Sequence, residues 1–337
     1  MASNLIVVNT RIQTLEDAGR FIFVDEYINI LSKEFEVKVF ENLKKDTLSF
    51  ILFVIKNRNK IKLISFHNIW CIDLIILLWI SRIIRIQIDI FAHGTLEPWA
   101  LLQGSNKKKI FLFILNKLSN ERLQLVAITK EELHSLRNIF PKIRLKFVKP
   151  LINLTRSSEI EIKEKSKYLY IGRFHKKKGL LELIKAWSLV ETNYTSKIEL
   201  HLYGFGDEEY LKEMKDLIYD YKLKRCFVHG KVDGQEKEKI LKEAFCFILP
   251  SHSENFGYVI PEALSKGCYI ITSKFTPWSD ISKHECGAIL SSIEPKEIYM
   301  KILESHNNNF VPESSYRYFD MKFPPETNKS KIRELLS

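Results

Sequence analysis

Residues 245–264 read FCFILPSHSENFGYVIPEAL, and this stretch is the most informative about the fold. An apolar run, Phe245–Leu249, predicts a short buried strand. A polar loop follows, and then a helical pattern over Tyr258–Ser265 with Pro261 in its first turn. A buried strand, a loop and a helix in this order are typical of one repeat of a parallel α/β sheet.

The same alternation continues in both directions along the chain, which predicts an α/β protein with doubly wound parallel sheets. The predicted strands are Leu5–Val8, Glu36–Phe40, Leu63–Phe66, Ile86–Phe91, Tyr168–Ile171, Ile198–Tyr203, Cys226–His229 and Tyr269–Thr272. The predicted helices are Phe21–Leu31, Leu48–Ile55, Ile72–Ile80, Leu180–Leu189, Tyr210–Tyr221, Glu236–Ala244 and Ser330–Leu336.

The alternation restarts after Pro150, which divides the chain into two Rossmann-like domains. The charged segment Ser157–Lys167 is interpreted as the linker. We predict a first domain over 1–155, a second over 156–320, and a tail over 321–337 whose helix packs back on the first domain.

Composition supports two domains and narrows the function classes. The chain has 337 residues, 45% of them hydrophobic, which is enough for a large core. Its net charge of +11 favours either a polyanionic partner or simply solvated lysines. The basic residues are not interleaved with aromatic residues as in nucleic-acid modules, so no nucleic-acid partner is predicted. The five cysteines include no CxxC pair and are predicted to be reduced thiols.

No transmembrane helix and no signal peptide are predicted. The most apolar stretch, 72–91, is interrupted by Asp73, Arg82, Arg85 and Asp89. The N-terminus lacks a basic region followed by an apolar one. We therefore expect a cytoplasmic protein.

Two carboxylates mark the strand end in the opening stretch. Glu254 falls on the predicted loop and Glu262 in the first turn of the predicted helix, with Gly257 between them. Carboxylates accept hydrogen bonds from sugar or ribose hydroxyls, and a helix N-terminus suits a phosphate. The ordinary alternative is that a Glu early in a helix is favoured by the helix dipole.

Residues 250–267, PSHSENFGYVIPEALSKG, resemble the E-x7-E signature of retaining glycosyltransferases of family 4 (glycosyl transferases group 1). Other segments resemble the same family in the same order. They are YIGRFHKKKGLLELIKAW (170–187), YGFGDEEYLKEM (203–214), FVHGKV (227–232), ITSKFTPWSDI (271–281) and CGAIL (286–290). The resemblance implies the GT-B fold, in which two Rossmann-like domains face each other across a cleft.

The resemblance also implies roles for single residues. Arg173 and Lys178 would hold the donor diphosphate and stabilise the leaving group, although Lys178 follows two other lysines and surface solvation is its alternative. Glu262 would bind the ribose and Glu254 the transferred sugar. The further implied donor-binding residues are Gly172, Gly204, His229, Asn255, Phe256 and Gly257.

The acceptor side is expected in the first domain. FAHGTLEPWAL (91–101) resembles a segment of the bacterial polysaccharide subset of the family, which implies that His93 acts near the sugar and acceptor. Its alternative role is structural. His67 ends a predicted strand and is an acceptor-pocket candidate. The family's Gly-Gly pair after the first strand is missing, and only Gly19, followed by Arg20, is available for that role.

The leading hypothesis is therefore a retaining, metal-independent transferase that uses a nucleoside-diphosphate-sugar as co-substrate and needs no cofactor. No Asp-x-Asp motif is present, and Asp207–Glu209 is interpreted as a helix start. The expected acceptor is a lipid-linked saccharide of polysaccharide or lipopolysaccharide assembly. An anionic membrane face, such as the cytoplasmic face of an inner membrane, is a further expected partner through Lys107–Lys109. The alternatives are a non-catalytic binding protein of this fold and a glucosyltransferase with a soluble acceptor.

Overall fold

The computed structural model describes residues 5–10, 18–41, 43–97, 101, 106–157, 162–194, 197–325 and 328–336. The chain divides into two compact units. The first comprises Met1–Asn153 with Glu326–Ser337, and the second comprises Leu154–Pro325.

The first unit is built on a six-stranded parallel sheet of strand order β2-β1-β3-β4-β5-β6. Its strands are β1 (Leu5–Asn9), β2 (Glu36–Phe40), β3 (Ile61–Phe66), β4 (Gln87–Phe91), β5 (Leu123–Ala127) and β6 (Arg144–Phe147). Its first five helices are α1 (Ala18–Leu31), α2 (Leu43–Asn57), α3 (Ile72–Ile84), α4 (Asn106–Leu118) and α5 (Lys130–Ile139).

The second unit has a six-stranded parallel sheet of strand order β12-β11-β10-β7-β8-β9. Its strands are β7 (Lys167–Phe174), β8 (Glu199–Gly206), β9 (Cys226–His229), β10 (Cys246–Leu249), β11 (Tyr269–Ser273) and β12 (Gly287–Leu290). Its helices are α6 (Leu180–Asn193), α7 (Glu208–Asp220), α8 (Gly234–Glu243), α9 (Val259–Ser265), α10 (Pro295–Asn307) and α11 (Pro312–Lys322). Two 3₁₀ turns, Lys176–Lys178 and Ile281–His284, complete it.

The predicted α/β fold class is confirmed, and each sheet has a topological switch point. In the first sheet the chain winds outward in opposite directions from β1 and β3, and in the second from β7 and β10. At such a point the loops that follow the two strands diverge. The crevice they leave at the carboxyl ends of the strands is where open α/β sheets bind ligands.

Fully buried strands explain why continuous apolar runs predicted these sheets. All five residues of β1, β5 and β11 are buried, as expected for parallel strands covered on both faces. The edge strand β6, RLKF, has no buried residue, and the sequence analysis did not predict it. The pairing of β6 with β5 comes from backbone hydrogen bonds that its side-chain pattern does not reveal.

The last helix, α12 (Asn328–Leu336), lies in the first unit. It contacts α1, and the Lys146 ammonium donates a hydrogen bond to the carbonyl of Leu335 at 2.9 Å. The backbone N–H of Lys149 donates to the Glu334 carboxylate at 2.7 Å. These contacts secure the C-terminal segment to the edge of the first sheet.

The expected linker is partly integrated into the second unit, whose boundary lies at Asn153 and Leu154. The Lys163 ammonium donates to the carbonyls of Leu241 and Ala244 at 2.9 and 2.6 Å. Residues 158–161 of that segment lie outside the described residues. Lys163 of this charged segment thus binds backbone carbonyls of the second unit.

All five cysteines are buried and unbridged, as predicted. Within the described ranges, no helix has both the length and the apolar character required to cross a bilayer.

Candidate functional site

The candidate residues of the second unit follow four adjacent strands of its sheet. The loop that contains Glu254 follows β10, Arg173 is the penultimate residue of β7, and Gly204 and His229 lie near the ends of β8 and β9. The predicted strand ends at Ile171 and Tyr203 are wrong, because β7 continues to Phe174 and β8 to Gly206. A Cβ on Gly204 would meet the carbonyl oxygen of Gly172 at 1.9 Å, so glycine permits this close pairing.

Lys178 is positioned by a tight turn immediately before α6. The imidazole Nδ1 of His175 accepts a hydrogen bond from the Lys177 N–H at 3.1 Å and caps the 3₁₀ turn. Gly179 ends the turn with φ at +67°, and a Cβ there would lie 2.2 Å from the carbonyl oxygen of Pro250. Glycine is therefore required both by the left-handed backbone and by the packing of this turn against the loop after β10.

Lys178 and Glu254 form an ion pair across the switch point between β7 and β10. Both side chains are largely buried, and the Ser251 hydroxyl also approaches the carboxylate at 3.4 Å. Burial alone would raise the pKa of Glu254. The ammonium groups of Lys178 and Lys177, with hydrogen bonds from Lys178 and Ser251, outweigh it and hold the pKa below its ordinary value. The site therefore contains an ionised carboxylate beside a fixed cation at neutral pH.

The loop between Glu254 and α9 is held from behind by Trp278. The Trp278 indole N–H donates to the carbonyl of Phe256 at 2.6 Å, and their rings lie 5.2 Å apart. Gly257 has φ at +77°, which turns the chain into α9. The side-chain oxygen of Asn255 is buried and has no hydrogen-bond partner among the described residues.

Glu262 lies in the first turn of α9, as predicted, and pairs with a residue that the sequence analysis did not identify. The Lys237 ammonium from α8 forms an ion pair with its carboxylate, and both side chains are less than one-fifth exposed. Each carboxylate of the E-x7-E pair thus has its own lysine, from a different element in each case.

His229 belongs to a half-buried aromatic strip on β8 and β9. Its ring stacks on Tyr203 with centroids 4.2 Å apart, and its Nε2 lies 3.0 Å from Nδ1 of His201. Partial burial and the neighbouring His201 lower the pKa of His229. A neutral imidazole stacked on a tyrosine offers a flat surface and one hydrogen-bonding nitrogen.

In the first unit the structure brings His67 and His93 together at 3.1 Å between Nδ1 and Nε2. His67 follows β3 at the switch point and is fully buried, with its ring stacked 4.5 Å from Phe91. His93 follows β4 with φ at +49°, an uncommon conformation for a residue with a side chain. Residues 98–100 of the same predicted segment lie outside the described residues.

Both histidines are neutral at physiological pH. Burial and the nearby Arg20 lower the pKa of His67 to about 3. Burial, His67 and Arg20 lower that of His93 well below its ordinary value. Arg20 and Gly19 lie in the first turn of α1, so Gly19 is a helical residue and not part of a glycine loop. Residues 11–17, which precede it, lie outside the described residues.

The loop that contains His93 depends on a buried glutamate on α5. The Glu132 carboxylate accepts hydrogen bonds from the N–H groups of Gly94 at 2.7 Å and Ile128 at 2.9 Å. Thr129 caps α5 by accepting from the Glu132 N–H. The Thr-x-x-Glu spacing is a capping-box signal that the sequence analysis overlooked, and here the glutamate also secures a neighbouring loop.

Part of the chain matches a family of known proteins. Residues 153–317 match the family described as Glycosyl transferases group 1. A glycosyltransferase of Methanocaldococcus jannaschii, MJ1607, is 33% identical over 140 residues, 41% of this chain and 34% of that protein. The capsular polysaccharide biosynthesis glycosyltransferase CapH of Staphylococcus aureus is 22% identical over 72% of this chain and 68% of that protein. The chain thus spans only about a third of the length of MJ1607.

The crystal structure of Anabaena HepE in complex with UDP-glucose superposes with a TM-score of 0.75. It is 17% identical and covers 98% of this chain and 99% of that one. The fold is GT-B. This likeness shows the fold, and the family match is confined to residues 153–317. The matched segment 153–317 includes Arg173, Lys178, Glu254 and Glu262.

Sequence reasoning missed Lys237, which pairs with Glu262, and Trp278, which binds the carbonyl of Phe256. Lys237 lies in QEKEKILKE, where six of nine residues are Lys or Glu, so nothing distinguishes it locally. Trp278 lies in a segment that the family resemblance included, but its contact with Phe256 is visible only in the structure. By contrast, Asp207 was correctly interpreted as a helix start, since it caps α7 through the Glu209 N–H.

Proposed function

We propose that the protein is a retaining, metal-independent glycosyltransferase of family 4. It would transfer a sugar from a nucleoside diphosphate to a lipid-linked saccharide in the assembly of a cell-surface polysaccharide or lipopolysaccharide. The observation that carries the proposal is the buried Lys178–Glu254 ion pair at the switch point of the second sheet.

The second unit would bind the donor. A diphosphate near Lys178 and Arg173 would be attracted to cations already held in place, so little reorganisation is needed when charge builds on the leaving group. The diphosphate would share the Lys178 ammonium with Glu254, which then becomes free to orient the sugar. Glu262, held by Lys237, would accept hydrogen bonds from the ribose hydroxyls.

The base and acceptor contacts follow from the other clusters. The stacked Tyr203 and His229 would lie against the nucleotide, whose flat base suits an aromatic surface. In the first unit the neutral pair of His67 and His93 would face the acceptor, because a neutral imidazole both donates and accepts hydrogen bonds with hydroxyls. Membrane attraction through Lys107, Lys108 and Lys109 would bring the protein to its lipid-linked acceptor.

The relatives support this substrate class in general terms, since CapH is a capsular polysaccharide biosynthesis glycosyltransferase. The test is a panel of nucleoside-diphosphate sugars, assayed by thermal shift and by release of the free nucleotide. We expect one donor to stabilise the protein and to be turned over when a saccharide acceptor is added. Stabilisation without any turnover would instead favour a non-catalytic binding protein. If no donor either stabilises the protein or is turned over, the proposal is refuted.

A further inference from the structure

Three neighbouring helices of the first unit, α2, α3 and α4, cover the same face of its sheet. Their inner sides contribute to one hydrophobic core, with Phe50 and Val54 from α2, Leu74 and Leu77 from α3, and Leu115 from α4. The helix α3 contacts both α2 and α4. Their outer sides therefore form one continuous surface.

That outer surface is apolar to an unusual degree. Trp79 is 64% exposed, Ile83 76%, Leu48 71% and Phe113 67%. The spacing on each helix is that of a single stripe: i, i+4 and i+7 on α2, i and i+4 on α3, and i, i+3 and i+4 on α4. We call these residues the apolar face: Leu48, Leu52, Ile55, Trp79, Ile83, Ile110, Phe113 and Ile114. Large apolar side chains grouped on one surface mark an interaction site.

The exposed charges described on the outer sides of α2 and α4 are lysines. The helix α4 contains Lys107, Lys108, Lys109 and Lys117 and no acidic residue. Lys107 and Lys117 are exposed and lie on the same stripe as Ile110 and Phe113, one turn before and one turn after them. On α2 the exposed Lys56 follows Ile55 directly.

We infer that the apolar face docks on the surface of an anionic lipid bilayer, with its apolar side chains inserted below the headgroups. Lysines that flank an apolar stripe extend their ammonium groups to lipid phosphates while their alkyl stems stay with the apolar side chains. A second copy of the chain is a poor occupant, because two copies of α4 would bring lysines against lysines with no acidic residue to pair them. The inference deepens the proposed function by identifying how the protein meets a lipid-linked acceptor.

Insertion and electrostatic attraction differ in their response to salt. Attraction through Lys107–Lys109 alone is screened by salt, because the Debye length falls from ~10 Å at ~0.1 M to ~3 Å at ~1 M salt. The contribution of buried apolar area persists at high salt. The protein should therefore bind vesicles of phosphatidylcholine and phosphatidylglycerol at low salt and keep a measurable fraction bound at high salt.

The experiment compares two variants of the face with matched controls in vesicle co-sedimentation. Ile110→Ser with Phe113→Ser should lower the bound fraction at both salt concentrations. Lys107→Gln with Lys109→Gln and Lys117→Gln should lower it at low salt only. The two control variants change exposed residues of the second unit and should bind vesicles like the unaltered protein. They are Tyr219→Ser with Met300→Ser, and Lys212→Gln with Lys215→Gln and Lys239→Gln.

Fluorescence gives a second readout that does not depend on catalysis. Trp79 should shift its emission to the blue on anionic vesicles, and Trp79→Phe should lose that shift while still binding. The inference would be overturned if the protein does not bind these vesicles, or if the control variants lose as much binding as the variants of the apolar face. Dimerisation through the apolar face in sedimentation velocity would also overturn it. Because none of these measurements uses a sugar donor, their failure is distinguishable from failure of the proposed transferase activity.

Discussion

Lys178 and Glu254 are joined in an ion pair that connects the turn after β7 to the loop after β10. The partners are 76 residues apart in the chain, and they meet because β10 lies beside β7 in the sheet. Neither side chain is more than one-fifth exposed, and the Lys178 ammonium helps to keep the pKa of Glu254 below its ordinary value. If the proposed function is correct, this pair is the centre of the donor site.

We expect Lys178→Met to lower turnover by about 100-fold, the scale on which the loss of one preorganised charge stabiliser acts. The matched control is Lys176→Met in the same 3₁₀ turn, because the Lys176 side chain is 74% exposed. Steady-state kinetics with the best donor would measure both, after thermal unfolding shows that each variant is folded. Similar turnover in the two variants would remove Lys178 from the proposed mechanism.

Substitution of the two carboxylates should change different kinetic constants. Glu254→Gln should mainly lower kcat, because its contact with the sugar strengthens as charge develops there. Glu262→Gln should mainly raise the donor KM, because the ribose is bound equally in the ground and transition states. Product NMR should show the anomeric configuration of the donor retained. An inverted product, or an unchanged kcat in Glu254→Gln, would contradict the assignment.

Lys237 should act as a positioning residue for Glu262. Removing its ammonium in Lys237→Met leaves the half-buried carboxylate without its partner, and we expect the donor Kd to rise by about tenfold, or ~1.4 kcal/mol. Lys237→Arg should restore most of the affinity, and the exposed Lys239→Met on the same helix should change little. Calorimetric titration with the nucleoside diphosphate measures all three. If Lys239→Met weakens binding as much as Lys237→Met, the effect is one of general charge.

Transfer should not require a divalent cation. Arg173 lies at the end of β7 and Lys178 in the turn after it, where we propose that the diphosphate binds. Fixed cations there can stabilise the leaving group in place of a metal. Activity after dialysis against EDTA should stay within about twofold of the untreated protein. Loss of activity that Mn²⁺ restores would show that the lysine and arginine do not suffice.

The buried histidines should make the first unit sensitive to acid. The pKa of His67 falls from 6.5 to about 3 on folding, so between these values the unfolded chain takes up a proton that the folded protein excludes. The free energy of unfolding should therefore fall as the pH decreases through this window, by about 3 kcal/mol from His67 alone by about pH 4.5. Urea unfolding of His67→Asn should show a shallower decrease, and the exposed His134→Asn should follow the unaltered protein. Equal slopes in all three would contradict the prediction.

Several elements were predictable from sequence because their signals are local. Glu36–Phe40 and Cys226–His229 match their predicted bounds, since short stretches rich in β-branched and aromatic residues identify a strand without reference to its neighbours. The elements from α4 to β6 and those from β12 to α11 were not predicted. In β12 the signal is only four residues, GAIL, which periodicity cannot assign.

By itself, the sequence determined the α/β class, the doubling of the pattern and the positions of Arg173, Glu254 and Glu262 near strand and helix ends. These depend on spacing within a few residues, where the backbone geometry of strands and helices is regular. Only the tertiary structure decided which charges meet: Lys178 with Glu254, Lys237 with Glu262, and His67 with His93. Each pair joins residues from different elements, and their approach depends on the order of strands in the sheet and on how the helices pack against it. Packing thus brings these side chains together and buries them, and no local sequence pattern predicts such contacts.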